Sequence, residues 1–498
     1  MSDLLGKASS NMLNVAFVSS EVVPYASTGG LGDVCGSLPA ALSGLGVQVT
    51  QFMPMYRRVL EGGQPIEDTG LRLSIPVGFH RYQADIWRTK PNRHPVIYFI
   101  RRDEFFDRTE LYNLPDREYD DNFERFIFFQ KAVTALINHL GSPFDIVHAH
   151  DWQTGLMPLY LHYGLSGEGR SAREKVIFTI HNLSFQGIFD GDYYSYTNLP
   201  FSCFSMQMLE YYGNVNCLKG AINSADVVTT VSESYAREIQ TEEWGCGLHG
   251  VLKDASRKLR GIVNGIDQSI WNPASDSMIA AKFDHRNLAG KKECKADLIR
   301  RLKMKIDPDA PLIGMITRLT PQKGIELVNE ALPFILQDTN AGLVMLGSGS
   351  DEMEAMITEW AKQWPGRVAI RTGFDDKLAH RIEAGSDIYL MPSKFEPCGL
   401  NQLYSLRYGA VPIVHRVGGL ADTIIDAVSD PERGYGFAFD EFTARELAKC
   451  VGTAIEIFVK QPDRWKELQR RGMTADFSWN SSAAKYLELY KSTLGRTA

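Results

Sequence analysis

Short apolar, β-branched runs recur along the chain with amphipathic, helix-like stretches between them. In the first half they fall at residues 14–18, 47–52, 96–100, 145–148, 176–180 and 227–231. After a connecting region the pattern restarts at 312–316, 342–346, 368–371, 388–391 and 411–414. Strands alternating with helices predict parallel sheets, and two such series predict two doubly wound α/β domains. The boundary is expected near residues 265–273, where NGIDQSIWNP mixes turn formers with a proline that discourages a continuing helix. This gives domains of residues 1–265 and 266–475. Residues 476–498 follow, with Ala484, Tyr486, Leu487 and Tyr490 spaced for a short amphipathic helix.

Composition narrows the function classes. Across 498 residues, 53 basic against 60 acidic side chains leave a net charge of −7, which offers no general attraction for nucleic acid or anionic membrane. An anionic ligand must then be held by local cations. No apolar run reaches the roughly 18 residues that span a bilayer, and MSDLLGKASSNML lacks a basic leader, so the chain reads as cytoplasmic, or plastidial had a transit peptide been removed. The 7 cysteines are scattered and never form a C-x-x-C pair, which argues against a disulfide framework or a zinc site.

Candidate chemistry sits where predicted strands end. Ser27-Thr28-Gly29-Gly30-Leu31-Gly32-Asp33 follows the first strand; its glycines either let backbone amides approach a phosphate at a helix start or only serve a tight turn. In FDIVHAHDWQ, His148 and His150 are two apart and face the same way, and the strand delivers Asp151 to its carboxyl end. His-x-His-Asp offers metal-ligand types, but no further ligand has suitable spacing, so neither a metal nor a cofactor is expected. His181 closes another strand, either as a site residue or as a satisfied structural histidine. Arg318 and Lys323 flank a turn in TRLTPQKG, as a diphosphate clamp or as solvated loop charges. Glu396 precedes Pro397 and the run Cys398-Gly399-Leu400; it is either a helix-end acid favoured by the dipole or a site carboxylate. Glycine-rich GGLADT, with Gly418 and Gly419, weakly echoes GGLGDV of the first half. Taken jointly, these loops favour one shared cleft and transfer from a phosphorylated donor, because no paired catalytic carboxylates or nucleophile elbow stand out.

In order and spacing, STGGLGDV, HAHDW, TIHNLSFQG, NGID, TRLTPQKG, SKFEPCGL and DFSW resemble the starch synthases and bacterial glycogen synthases, from about residue 14 to 490. The resemblance implies a GT-B architecture of two facing Rossmann-like domains, with the last helix crossing back to the first. It also implies a retaining, metal-free glucosyltransferase that uses ADP-glucose, or UDP-glucose, and extends the non-reducing end of an α-1,4-glucan or malto-oligosaccharide. Carried over by position, Arg318 and Lys323 would bind the diphosphate, His181 would lie beside the anomeric carbon, and Glu396 would hold glucose hydroxyls. Asp151 and Asn264 would line the sugar and acceptor side. Asp33 with Gly29, Gly30, Gly418 and Gly419 would border the nucleotide, and Tyr119 to Asn122 would reach the glucan.

Two positions refine the resemblance. Many related retaining transferases carry a second glutamate where this chain has Tyr404, as starch and glycogen synthases do. The family also begins its first loop with lysine, and this chain has Ser27. A hydroxyl returns a hydrogen bond but not the charge. The alternatives are therefore a transferase with another donor and a weakly active or non-catalytic glucan-binding homologue.

Overall fold

In the computed structural model, which describes residues 12–90, 95–114, 117–141, 144–166 and 174–496, the chain forms two compact units. The first runs to Gly265 and takes in the residues from Trp479 onward; the second is Ile266–Ser478. Each has its own apolar core.

The first unit contains β1 (Asn14–Val18), β2 (Gln48–Pro54), β3 (Ile66–Val77), β4 (His80–Thr89), β5 (Val96–Arg101), β6 (Ile146–His150) and β7 (Lys175–Ile180). A small satellite sheet of β8 (Ile188–Asp190), β9 (Glu210–Tyr211) and β10 (Asn214–Asn216) follows, then β11 (Val227–Thr230) and β12 (Leu259–Gly261). The main sheet has 9 strands in the order β12-β11-β7-β6-β1-β2-β5-β4-β3. Pairing is parallel from β12 to β5 and antiparallel through β4 and β3. Val15, Ala16, Phe17 and Val18 are wholly buried, as expected for a strand covered on both faces.

The sequence pattern did not reveal the β3–β4 hairpin. Its burial alternates between half-covered and exposed positions, because an antiparallel edge needs only one apolar face, and the reading followed continuous apolar runs.

The second unit holds β13 (Leu312–Leu319), β14 (Gly342–Gly349), β15 (Val368–Thr372), β16 (Ile388–Met391), β17 (Val411–His415) and β18 (Phe437–Phe439). All pair in parallel, in the order β15-β14-β13-β16-β17-β18. Its first segment is anchored by Trp271, whose ring stacks at 4.0 Å on both His380 and Tyr404.

Among the parallel crossovers the strand order reverses beside β1, between β2 and β6, and beside β13, between β14 and β16. Connections leave those strands in opposite directions and open a crevice at their carboxyl ends, where ligands of such sheets bind.

The terminal helix Trp479–Thr493 belongs to the first unit and packs on the helix Gly30–Gly44. Its buried stripe is Trp479, Ala483, Tyr486 and Tyr490. Ala484, expected on that stripe, is exposed; the helical phase is set by Trp479, one turn ahead of Ala483. Among the described residues no helix is long and apolar enough to cross a membrane.

Candidate active site

In the first unit the loop after β1 is tied down by one carboxylate. Buried Glu21 accepts from the Thr28 amide at 2.6 Å, the Thr28 hydroxyl at 2.7 Å and the Tyr112 hydroxyl at 2.7 Å. The Ser27 hydroxyl is spent inside the turn, donating to the Gly29 carbonyl at 3.1 Å and accepting from the Gly29 amide at 3.3 Å. Gly29 and Gly30 are exposed, and side chains added there would meet nothing within 4 Å. Their backbone is open to an approaching ligand. Asp33 lies in the first turn of the following helix; burial first, and then the charge of Glu21, raise its carboxyl to about 6.

At the ends of β6 and β7 the backbone makes an unusual turn. Asp151 has a φ of 55°, a left-handed conformation that a non-glycine residue adopts only when its surroundings hold it there. Its amide donates to the Thr179 carbonyl at 3.0 Å, and its Oδ1 accepts from the His181 amide at 2.7 Å. Burial raises this carboxyl to about 7, although the amides of His181 and Asn182 oppose the shift and Glu21 adds to it.

Three imidazoles lie beside it. His148 bonds the Tyr490 hydroxyl and the Thr179 hydroxyl, each at 2.7 Å, and so serves the fold, tying the terminal helix to the sheet. His150 Nδ1 is 3.0 Å from His181 Nε2. Burial lowers His148 and His181 to about 3 and His150 well below its ordinary value, so all three are neutral near pH 7. His150 Nε2 is buried without a partner. An orphan lone pair is cheaper than an orphan N–H, so the bonding pattern puts the His150 proton on Nδ1, donating to His181. His181 then carries its own proton on Nδ1.

The second unit assembles charges instead. Lys323 Nζ lies 2.5 Å from Glu396 Oε2, and the Ser393 hydroxyl donates to the same oxygen at 3.0 Å. The loops carrying them are stitched together by Lys394 N to Gln322 O at 2.8 Å and Gln322 Nε2 to Phe395 O at 3.1 Å. Gly419 N donates to Glu396 O at 3.0 Å, and a Cβ at Gly419 would run into the Cys398 backbone, which fixes a glycine there by close approach. Buried Gln402 holds the Cys398 and Gly399 carbonyls at 3.0 Å each, so Cys398, Gly399 and Leu400 lead rigidly into the helix Asn401–Arg407. Arg318, at the exposed end of β13, accepts from the Thr320 amide at its carbonyl at 3.0 Å, while its guanidinium has no hydrogen bond or ion pair among the described residues.

The remaining expected positions are scattered in character. Tyr119 lies under two guanidiniums, Arg108 at 4.6 Å and Arg125 at 5.3 Å. Asn122 is wholly buried and donates to the Tyr112 carbonyl at 2.9 Å, so here it anchors the segment and offers no surface. Asn264 is buried with Oδ1 unpaired. Gly418 is buried at the start of the helix Gly418–Thr423. Sequence reasoning overlooked Glu21, Tyr112 and Ser393 as supports, and it singled out His150 only as a possible ligand type beside His148 and not as the partner of His181. The signal for Glu21 was available: a lone carboxylate inside the apolar stretch that follows the first strand.

Comparisons with known proteins place this geometry. Residues 14–254 match the family described as starch synthase catalytic domain, and residues 299–471 match glycosyl transferases group 1. The chain is 42% identical to a glycogen synthase of Opitutus terrae over 97% of its length and 100% of the relative's. It is equally 42% identical to a glycogen synthase of Koribacter versatilis, over 96% of this chain and 98% of that one. Among solved structures it resembles the catalytic domain of starch synthase IV from Arabidopsis thaliana, bound to ADP and acarbose. The TM-score is 0.87 at 32% identity, covering 97% of this chain and 100% of that one. With near-complete coverage at this identity, the chain belongs to the starch and glycogen synthase family of GT-B glycosyltransferases.

Proposed function

We propose that the protein transfers glucose from ADP-glucose to the non-reducing end of an α-1,4-glucan with retention of configuration. The observation that carries this reading is that the exposed, unpaired guanidinium of Arg318 and the Lys323–Glu396 pair both sit where β13 ends, at the strand-order reversal of the second unit. The relatives' names supply the glucan, and the ADP in the starch synthase structure supplies the nucleotide.

In this reading Arg318 grips the diphosphate through its planar fork. Lys323 has three N–H donors, of which Glu396 takes one; the others serve the departing phosphate. Glu396, with its charge fixed by Lys323 and Ser393, accepts from glucose hydroxyls. Asp33, Gly29, Gly30, Gly418 and Gly419 border the nucleotide. Asp151, Asn264 and the neutral His181 line the sugar, with His181 donating from Nδ1.

As the bond from the anomeric carbon to the diphosphate oxygen breaks, the cations receive the negative charge, which stabilises the transition state electrostatically. A leaving phosphate oxygen takes the proton of the acceptor hydroxyl, and the acceptor oxygen bonds the anomeric carbon on the same face. No general base and no covalent intermediate are required.

The test is incubation with radiolabelled ADP-glucose, or radiolabelled UDP-glucose, and glycogen, followed by counting polymer-bound label. Incorporation from ADP-glucose that an α-1,4-specific exo-amylase releases is expected. Label from UDP-glucose alone would overturn the donor assignment, and label from neither would overturn the activity.

A further inference from the structure

In the second unit one imidazole bridges the place where three neighbouring strands part. β16, β17 and β18 lie side by side, and the β16–β17 ladder ends at Met391 and Val414. The chain after β16 then carries Ser393 and Glu396. His415 is the last residue of β17. Its Nδ1 lies 2.8 Å from the Ser393 carbonyl, and its Nε2 lies 3.1 Å from the carbonyl of Asp440, one residue past β18. Where the backbone ladder to β16 stops, this side chain takes over.

Both contacts are protected. Ser393 and His415 are buried, so water competes little for these bonds. The imidazole stacks on Phe439 at 5.3 Å with 29° between the planes, and Phe442 meets it at 5.2 Å and 55°, which restricts its rotation. Carbonyl oxygens only accept, so each contact needs an N–H from the ring. The shorter bond is the one to Ser393.

What the Ser393 tie governs is the aim of Glu396. Glu396 Oε2 takes two donors, Lys323 Nζ at 2.5 Å and the Ser393 hydroxyl at 3.0 Å. Oε1 has no bond among the described residues, and in the proposed function it is the oxygen that meets glucose hydroxyls. The two donors differ in stiffness. Lysine reaches Glu396 on a flexible four-carbon stem, whereas the Ser393 hydroxyl stands one carbon from a backbone that His415 holds. A displaced Ser393 backbone therefore turns the carboxylate, and a small misplacement of a group facing the reacting sugar is costly.

We infer that His415 is a positioning residue for the reaction: by holding the Ser393 carbonyl it sets the orientation of Glu396. The inference rests on the proposed function for the part that Glu396 plays.

The test compares three variants of the full chain. Asparagine can place its amide nitrogen near the position of Nδ1, glutamine can place it near that of Nε2, and phenylalanine keeps the ring stack without a donor. His415→Asn should keep the Ser393 bond, and His415→Gln and His415→Phe should lose it. For glucose transfer, kcat should fall about tenfold or more in His415→Gln and His415→Phe and stay within about threefold of wild type in His415→Asn. Kd for ADP should stay within about twofold in all three. The Lys394 amide bonds the Gln322 carbonyl at 2.8 Å while the loop is in place, so hydrogen exchange of the peptide that contains it should quicken in the same two variants.

Equal losses in all three variants that follow the melting temperature would make His415 a packing residue and overturn the inference. Unchanged kcat and exchange in folded His415→Phe would overturn it as well. If wild type transfers no glucose, the proposed function fails, and the exchange pattern alone decides whether His415 holds this loop. If wild type transfers glucose and His415→Gln matches His415→Asn in both readouts, only the positioning role fails.

Discussion

Both units place their candidate residues at a reversal of strand order, yet the two places are chemically opposite. In the first unit burial suppresses charge: three imidazoles are held neutral, and two carboxyls are pushed up toward neutrality. In the second unit charge is kept, with Lys323 and Glu396 paired in a largely buried setting and the guanidinium of Arg318 exposed at the end of β13. One fold principle supplies the location, and the side chains decide the ligand. Neutral groups with hydrogen-bonding capacity, such as Asp151 and His181, suit a sugar, and cations such as Arg318 and Lys323 suit a diphosphate.

The sharpest break is expected at Glu396. Glu396→Ala removes the proposed acceptor for glucose hydroxyls and leaves Lys323 without its partner, so labelled-glucose transfer should fall about 100- to 1,000-fold, with folding checked by circular dichroism. A helix-end acid would lose no more than about 1 kcal/mol of stability and leave turnover nearly intact.

Backbone architecture separates the units next. Gly419→Ala forces a methyl group into the Cys398 backbone and should destabilise the second unit by about 2–3 kcal/mol in denaturant titration. Gly29→Ala, at an extended φ of 173° with open space around it, should change stability by less than about 0.5 kcal/mol. The first loop is held by Glu21, and the second by close approach. Equal losses in the two variants would contradict that distinction.

Acidity probes the suppressed charges. His148, His150 and His181 have lowered values in the fold, so between about pH 6.5 and pH 3 the unfolded chain binds more protons and stability falls as pH falls. Asp33 and Asp151 have raised values, so their contribution is complete below about pH 4 and is lost as pH rises toward 6 and 7. Glu383, whose buried carboxyl is also raised, joins them, so three raised carboxyls oppose three lowered imidazoles and the two sets largely offset each other between pH 6 and pH 4. Asp151→Asn keeps an acceptor for the His181 amide and removes the opposing contribution. Relative to wild type, it should gain stability as pH rises from about 5 to 8. Melting curves across that range that run parallel would refute the assignment.

The smallest effect is expected from Ser27→Lys. A lysine there adds the cation this loop lacks, beside the charge of Glu21 and Asp33, and should raise kcat/KM for the donor by about tenfold at most, since Glu21 already holds the loop. An unchanged constant in a folded variant would show that the charge is supplied elsewhere.

What the sequence made legible follows from the physics of each element. Strands buried on both faces read as apolar runs, so eleven parallel strands and the α/β class could be found, while the three-residue parallel strands β12 and β18 were missed. The β3–β4 hairpin carries alternating polarity, and the strands β8 to β10 are too short to leave a pattern. The candidate loops could be placed because ligands gather at strand ends. Which residues touch could not: Lys323 meets Glu396 across 73 positions, and Glu21 finds Tyr112 across 91. A glutamate inside an apolar stretch reads as an interruption until its partners are seen. His148 and His150 looked equivalent by spacing, and only the third dimension gives one to the terminal helix and the other to His181.

The division of labour between the units is tested most directly by titrating ADP into Arg318→Ala and Asp151→Asn proteins and measuring glucose transfer in both. Transfer should collapse in each, but ADP affinity should fall at least about tenfold only in Arg318→Ala and remain at the wild-type value in Asp151→Asn. Equal weakening of ADP in the two variants, or none in Arg318→Ala, would contradict it.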